Sequence, residues 1–175
     1  MTRKYVILDR DGTLIHHVHH LSSIKQVKLF EDSIIALNKL SNLGFRFGII
    51  TNQSIINRGI ATVREVESIN DFIVNSLAKE DIHFDFVLMC PHLPEDECRC
   101  RKPKTLLGEL AMCEFEIDPE SSFMVGDQVL DLEFGRRLGM TSVGVRNVEL
   151  KSLESYMYFH NLSVFSDWAE LERGI

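Results

Sequence analysis

Tyr5-Val-Ile-Leu8-Asp9-Arg-Asp11-Gly12-Thr-Leu14 is the stretch on which the fold turns. Four consecutive apolar residues stop abruptly at a pair of acids, which reads as a buried parallel strand ending in a loop. The same pattern recurs downstream. Phe45–Ile50 is a second buried strand running into Thr51-Asn-Gln-Ser54, and Asp85–Met89 is a third, leading into a cysteine-rich loop. Ser122–Val125 is a fourth, ending at Gly126-Asp127, and Thr141–Val145 a fifth. Helical spacing fills the intervals. Ile34, Leu37, Leu40 and Leu43 form a stripe over residues 31–43 with Gly44 at the C′ position. Thr62-Val-Arg-Glu65 has capping-box spacing ahead of Val66, Ile69, Ile73 and Leu77. Further helices are expected over about 105–115 and about 129–138, the second closed by Gly139. Beyond residue 145 a strand is expected near Leu162–Phe165 and a short helix after Ser166. Strands alternating with helices imply βαβ units and an open parallel sheet.

The chain's 175 residues suit one domain, and its 45% apolar content is that of a globular protein. The leading apolar run is too short for a signal peptide, and no segment is long enough to span a membrane, so a soluble cytoplasmic protein is expected. A net charge of −7 speaks against a nucleic-acid binder. Of the four cysteines, Cys90, Cys98 and Cys100 crowd together, which favours metal over disulfides. Cys113 falls on an apolar helix face and reads as a core residue.

Asp9/Asp11, Thr51/Asn52, the basic run 99–104 and Asp127/Asp131 all follow a strand end or sit in the loop beyond it, the edge where such sheets bind ligands. An isolated Asp-x-Asp-Gly is as readily a turn, and a basic run is commonly a solvated loop. Their convergence favours chemistry. Two close carboxylates with Asp127 as a third offer hard oxygen donors suited to Mg²⁺ completed by a phosphate. Lys102 then helps to neutralise that phosphate. Cys90-Pro-His92 and Cys98-Arg-Cys100 supply three thiolates and an imidazole, a closed tetrahedral set for a structural Zn²⁺. His16, His17, His19 and His20 read as a solvated loop.

In order, D-x-D-G-T-L, a strand ending in T-N-Q, R-K-P and G-D-x-x-x-D resemble the haloacid dehalogenase superfamily of phosphatases over residues 5–131. The T-N-Q-S and C-P-H-x5-C-x-C-R-K-P elements are similar to the branch of heptose 1,7-bisphosphate 7-phosphatases and histidinol-phosphate phosphatases. The resemblance implies one domain over 1–175, a three-layer Rossmann-like sandwich with a mainly parallel sheet, a zinc-loop insert and no large cap. It implies that Asp9 is the nucleophile, Asp11 the acid and base, and Thr51 and Lys102 the holders of the phosphoryl oxygens. Mg²⁺ is then expected on Asp9, the carbonyl of Asp11 and Asp127, with Asp131 in support. Asn52, Gln53, Ser54, Arg101, His17 and His20 are the implied substrate contacts.

The sequence departs from the heptose enzymes at Ile55, Asn57 and Gln128, where Gly, Ala and a cation are usual. The expected substrate is a small phosphorylated metabolite, heptose 1,7-bisphosphate of lipopolysaccharide biosynthesis first and histidinol phosphate second. An inactive zinc-stabilised binding module is the rival of another class. No nucleic-acid or membrane partner is expected, and a monomer is the default.

Overall fold

Every hydrogen-bonded pair in the six-stranded sheet is parallel, and the strand order is β3-β2-β1-β4-β5-β6. The computed structural model describes residues 2–173. Its strands are β1 (Tyr5–Leu8), β2 (Arg46–Asn52), β3 (Phe84–Cys90), β4 (Phe123–Gly126), β5 (Thr141–Val145) and β6 (Met157–Phe159). The helices are α1 (Glu31–Asn42), α2 (Val63–Ala78), α3 (Leu106–Glu114), α4 (Val129–Arg137) and α5 (Leu162–Arg173).

All four residues of β1 are inaccessible to solvent, because both faces of this central strand are covered. Val6 and Leu8 pack with Leu37 and Leu40 of α1, Ile69 and Ile73 of α2, and Phe165 of α5. Tyr5 and Ile7 point to the other face, against Ala111 of α3 and Phe134 of α4. The result is the expected three-layer sandwich. The chain winds outward from β1 to β3, returns to β4 beside β1, and winds the other way. Residues 9–30 and 53–62, the links into α1 and α2, are too short to carry a cap domain.

Two expectations are corrected. Leu162–Phe165 is not a strand but the first turn of α5, and the sixth strand lies just before it. Leu162, Phe165 and Ala169 are fully buried at helical spacing, whereas Val164 faces solvent, which period-two alternation does not explain. Asn161 caps the turn by accepting from the Val164 amide at 2.9 Å. Cys113 is exposed rather than core. The inner face of α3 is Gly108 and Ala111, and a residue two positions on lies across the helix from Ala111.

One polar junction ties the two halves of the sheet to the loop after β1. Arg146, just past β5, donates to both Asp32 oxygens at 3.0 and 3.2 Å and to the Thr13 carbonyl at 3.1 Å. Its guanidinium also lies 3.5 Å from the Phe30 ring centroid. Asp32 Oδ2 accepts the Leu162 amide at 3.0 Å, joining the starts of α1 and α5. Asp32→Ala leaves a mostly buried guanidinium unpaired and is expected to destabilise the protein by about 2–3 kcal/mol. A denaturant-midpoint shift at unchanged m-value checks this.

Candidate active site

The sheet reverses its winding between β1 and β4, and the residues leaving these two strands meet at the crevice this creates. The Asp9 amide donates to the Val125 carbonyl at 2.9 Å, so the ladder holds Asp9 beside the segment that carries Asp127. Oxygens of Asp9, Asp127 and Asp131 lie within 4.8 Å of one another. Two glycines permit this crowding. A Cβ on Gly12 would come 2.2 Å from Asp127 Oδ2, and one on Gly126 would come 2.3 Å from Asp131 Oδ2.

Lys102 reaches into the same space and is almost wholly buried. Its ammonium donates to Asp9 Oδ1 at 2.8 Å and the Ile50 carbonyl at 2.6 Å, and Asp131 Oδ1 lies 2.7 Å away. The ammonium thus makes two hydrogen bonds and one further close ion pair. Asn52 clasps the same residue from β2. It accepts the Lys102 amide at 3.0 Å and donates to its carbonyl at 3.2 Å.

Burial dominates the ionisation of these acids. It pushes the Asp9 carboxyl up to about 6 against the pull of Lys102, with Asp131 and Asp11 adding to the rise. Burial, with the Asp9 charge, raises Asp127 to about 6 as well. For Lys102, burial works against the charged form, but Asp131 and Asp9 outweigh it and hold the ammonium above its ordinary value.

Asp11 is held differently. Arg10, itself buried, donates Nε to Asp11 Oδ2 at 2.9 Å and Nη2 to Oδ1 at 3.2 Å. Gln53 Nε2 donates to Asp11 Oδ2 at 2.8 Å and to Thr51 Oγ1 at 2.9 Å. Arg10 Nη1 donates to Asn70 Oδ1 at 2.8 Å. Sequence reasoning missed Arg10 and Asn70. The available signal was Asn70 itself, a polar residue on the buried stripe of α2 between Val66 and Ile73.

Two adjoining clefts share Asp11, His17 and Asn52. The cleft of about 320 Å³ is lined by Asp9, Thr51, Arg101, Lys102, Asp127 and Gln128. The cleft of about 470 Å³ is lined by His19, His20, Gln53, Ser54, Ile55 and Arg58. The sequence-derived residues are thus brought together. Asn52 and Gln53, expected on substrate, line the clefts, and their amides also hold Lys102 and Asp11. His17 and His20 line the clefts, while His16 stacks on Phe30 at 3.9 Å. Desolvation, His19 and Arg58 keep His20 below its ordinary pKa.

The acidic cluster fits a hard cation. Asp127 Oδ1 is buried with no hydrogen-bond partner among the described residues, and three carboxylates face one lysine. The cysteine loop between β3 and α3 fits zinc. Cys90 Sγ lies 3.7 Å from Cys98 Sγ and 3.2 Å from Cys100 Sγ, and His92 Nδ1 lies 3.5 and 3.1 Å from Cys90 and Cys100. These edges approach the ~3.8 Å sulfur separation of a tetrahedron with Zn–S bonds of about 2.3 Å. Burial pushes the Cys90 thiol up to about 12, so a thiolate there needs a cation beside it. The loop also aims Arg101, which donates to the His92 carbonyl at 3.2 Å.

Comparison with known proteins matches residues 9–145 to the haloacid dehalogenase-like hydrolase family. D-glycero-beta-D-manno-heptose-1,7-bisphosphate 7-phosphatase of Helicobacter pylori is 33% identical over 169 residues, covering 95% of this chain and 97% of that one. Histidine biosynthesis bifunctional protein HisB of Blochmanniella floridana is 32% identical over 162 residues, or 90% of this chain. This chain spans only 45% of that relative's length. Among solved structures, D,D-heptose 1,7-bisphosphate phosphatase from B. bronchiseptica, complexed with magnesium and phosphate, superposes with a TM-score of 0.88 at 26% identity. The superposition covers 97% of this chain and 99% of that one. No helix among the described residues is long and apolar enough to cross a membrane.

The site generates two expected outcomes. A carboxyl at about 6 in the fold and about 4 in the unfolded chain keeps its proton longer when folded. Without metal, stability contributed by Asp9 and Asp127 is therefore present below about pH 4 and lost as pH rises through about 6. Mg²⁺ should raise Tm more near about pH 7.5 than near about pH 5, as thermal melts at both values will test. Cys98→Ser should lower zinc content from about one per chain and lower Tm together, read by elemental analysis and calorimetry.

Proposed function

Since the chain belongs to the haloacid dehalogenase-like hydrolases and is a phosphatase, we propose that its substrate is D-glycero-D-manno-heptose 1,7-bisphosphate. The 7-phosphate is the group removed, and residues 1–175 act as one catalytic domain. The observation that carries this reading is the pair of adjoining clefts. One gathers Asp9, Thr51 and Lys102 for a reacting phosphate, and the other holds Arg58 and histidines for an anionic group beyond it.

An Asp9 oxygen attacks phosphorus, and the bond to the leaving oxygen breaks as Asp11 gives that oxygen a proton. Water then attacks the phosphoryl group, its proton passes to Asp11, and Asp9 returns to a carboxylate as inorganic phosphate leaves. The Thr51 hydroxyl and the Lys102 ammonium hold phosphoryl oxygens throughout. Mg²⁺ on Asp9, Asp127 and the Asp11 carbonyl supplies the positive charge that lets a dianion approach three carboxylates. Zn²⁺ on Cys90, His92, Cys98 and Cys100 fixes the loop from which Arg101 and Lys102 extend.

Histidinol phosphate is the second reading, favoured by the 32% identity to HisB. Its cationic amine would want an acid beyond the reacting phosphate. Glu95 to Glu97 line neither cleft, and Asp96 accepts from Asn57 at 3.0 Å and from the Leu93 amide at 2.7 Å.

Both esters should be compared on the wild type, Arg58→Ala and Asp9→Asn. The bisphosphate should have the higher kcat/KM, and Arg58→Ala should reduce it by about 1.5–3 kcal/mol, roughly 10- to 150-fold. Asp9→Asn should abolish turnover of both while keeping the native circular dichroism. A preference for histidinol phosphate would overturn the substrate assignment, and activity in Asp9→Asn would overturn the mechanism.

A further inference from the structure

Arg10 lies between two acids in sequence, yet its side chain turns inward and only 1% of the residue is exposed. Burying a guanidinium is expensive unless its charge is paired and its N–H groups are bonded. Asp11 supplies the charge and Asn70 fixes the far nitrogen from α2. Asn70 is otherwise an anomaly. It is 6% exposed on a stripe of Val66, Ile69 and Ile73, and among the described residues its own amide nitrogen finds only Met89 Sδ at 3.9 Å.

The two Asp11 oxygens are not held alike. Oδ2 accepts from Arg10 Nε at 2.9 Å and Gln53 Nε2 at 2.8 Å, whereas among the described residues Oδ1 accepts only from Arg10 Nη2 at 3.2 Å. An oxygen with two donors aimed at it is fixed as an acceptor, so a proton on this carboxyl belongs on Oδ1. Asp11 borders both clefts, at the junction where a phosphoryl group on Asp9 and its leaving oxygen would part.

We propose that Arg10, anchored by Asn70, is a positioning residue that orients the Asp11 carboxyl so that Oδ1 delivers the proton to the leaving oxygen. Gln53, anchored by Thr51, is its counterpart on the other side of Oδ2. The proposal rests on the phosphatase reading above. As Asp9 bonds to phosphorus and the ester bond breaks, the Oδ1 proton goes to the departing alkoxide, giving an alcohol and leaving Asp11 a carboxylate. Misorienting Asp11 therefore matters in proportion to how badly the leaving group needs that proton.

The test compares kcat/KM for an alkyl phosphate monoester with that for p-nitrophenyl phosphate. This parameter reports the steps through leaving-group departure, and p-nitrophenolate departs without a proton. Arg10→Met should lower the alkyl value at least about tenfold more than the aryl value, a fraction of what general-acid catalysis supplies. Asn70→Leu keeps Arg10 but removes its anchor, and should show the same selective loss at about threefold or more. It also decides the matter if Arg10→Met does not fold. Equal losses on both esters in Asn70→Leu, or in a folded Arg10→Met, would mean a merely structural role and overturn the proposal. Asp11→Asn is the control on the reading beneath it. A selective alkyl loss in Asp11→Asn supports the acid role, whereas an unselective one removes that role and the proposal with it. Asp9→Asn should silence both esters.

Discussion

A single ammonium group, that of Lys102, holds the end of β1, the middle of β2 and the first turn of α4 to one point. Its partners come from three separate elements, so its burial makes sense only if all three are in register. An ion pair in such surroundings roughly breaks even on its own, because desolvation offsets attraction. What makes the arrangement tenable is the prior placement of its parts. Asn52 fixes the Lys102 backbone, and Asp131 uses its other oxygen to accept the Gln128 amide at 3.1 Å at the start of α4. The sheet is thus the frame on which a costly charge cluster is assembled. Three acids against one lysine leave that cluster short of positive charge until a cation joins it.

Much of the fold was legible because the central strands are buried on both faces. Continuous apolar runs such as Tyr5–Leu8 and Phe123–Val125 have few other uses, and each stops at polar residues. The acids were legible because they follow strand ends, and Lys102 because its basic run lies in the loop beyond one. Beyond residue 145 the signal weakened, since Leu162 to Phe165 is too short a window to separate period two from period 3.6. Arg10 and Asn70 were illegible for another reason. Their pairing depends on α2 crossing behind the first loop, a contact between residues 60 apart that no local pattern encodes. Asn52 and Gln53 were noticed, but which way an amide points is a tertiary fact.

The departures from the heptose enzymes acquire physical reasons in the fold. Ile55 is 7% exposed and packs with Ala61 and Val66, so a side chain there closes a small satellite core under the loop. Asn57 donates to Asp96 Oδ2 at 3.0 Å, joining the loop after β2 to the cysteine loop. Gln128 turns its amide on Asp127 Oδ2 at 3.2 Å, a neutral donor where a cation is usual. Ile55 and Asn57 thus tie down the loop after β2 by packing and a hydrogen bond, and Gln128 sets a neutral donor beside the acids.

An uncapped crevice has a kinetic corollary. Enzymes that shut a domain over their ligand can make recognition drive the closure, and so refuse a poor ligand before chemistry begins. The short links at 9–30 and 53–62 carry no domain that could close in this way. Discrimination then falls to rim side chains such as Arg58 and His17, which line the larger cleft. Such a rim can be recut one loop residue at a time without disturbing the sheet.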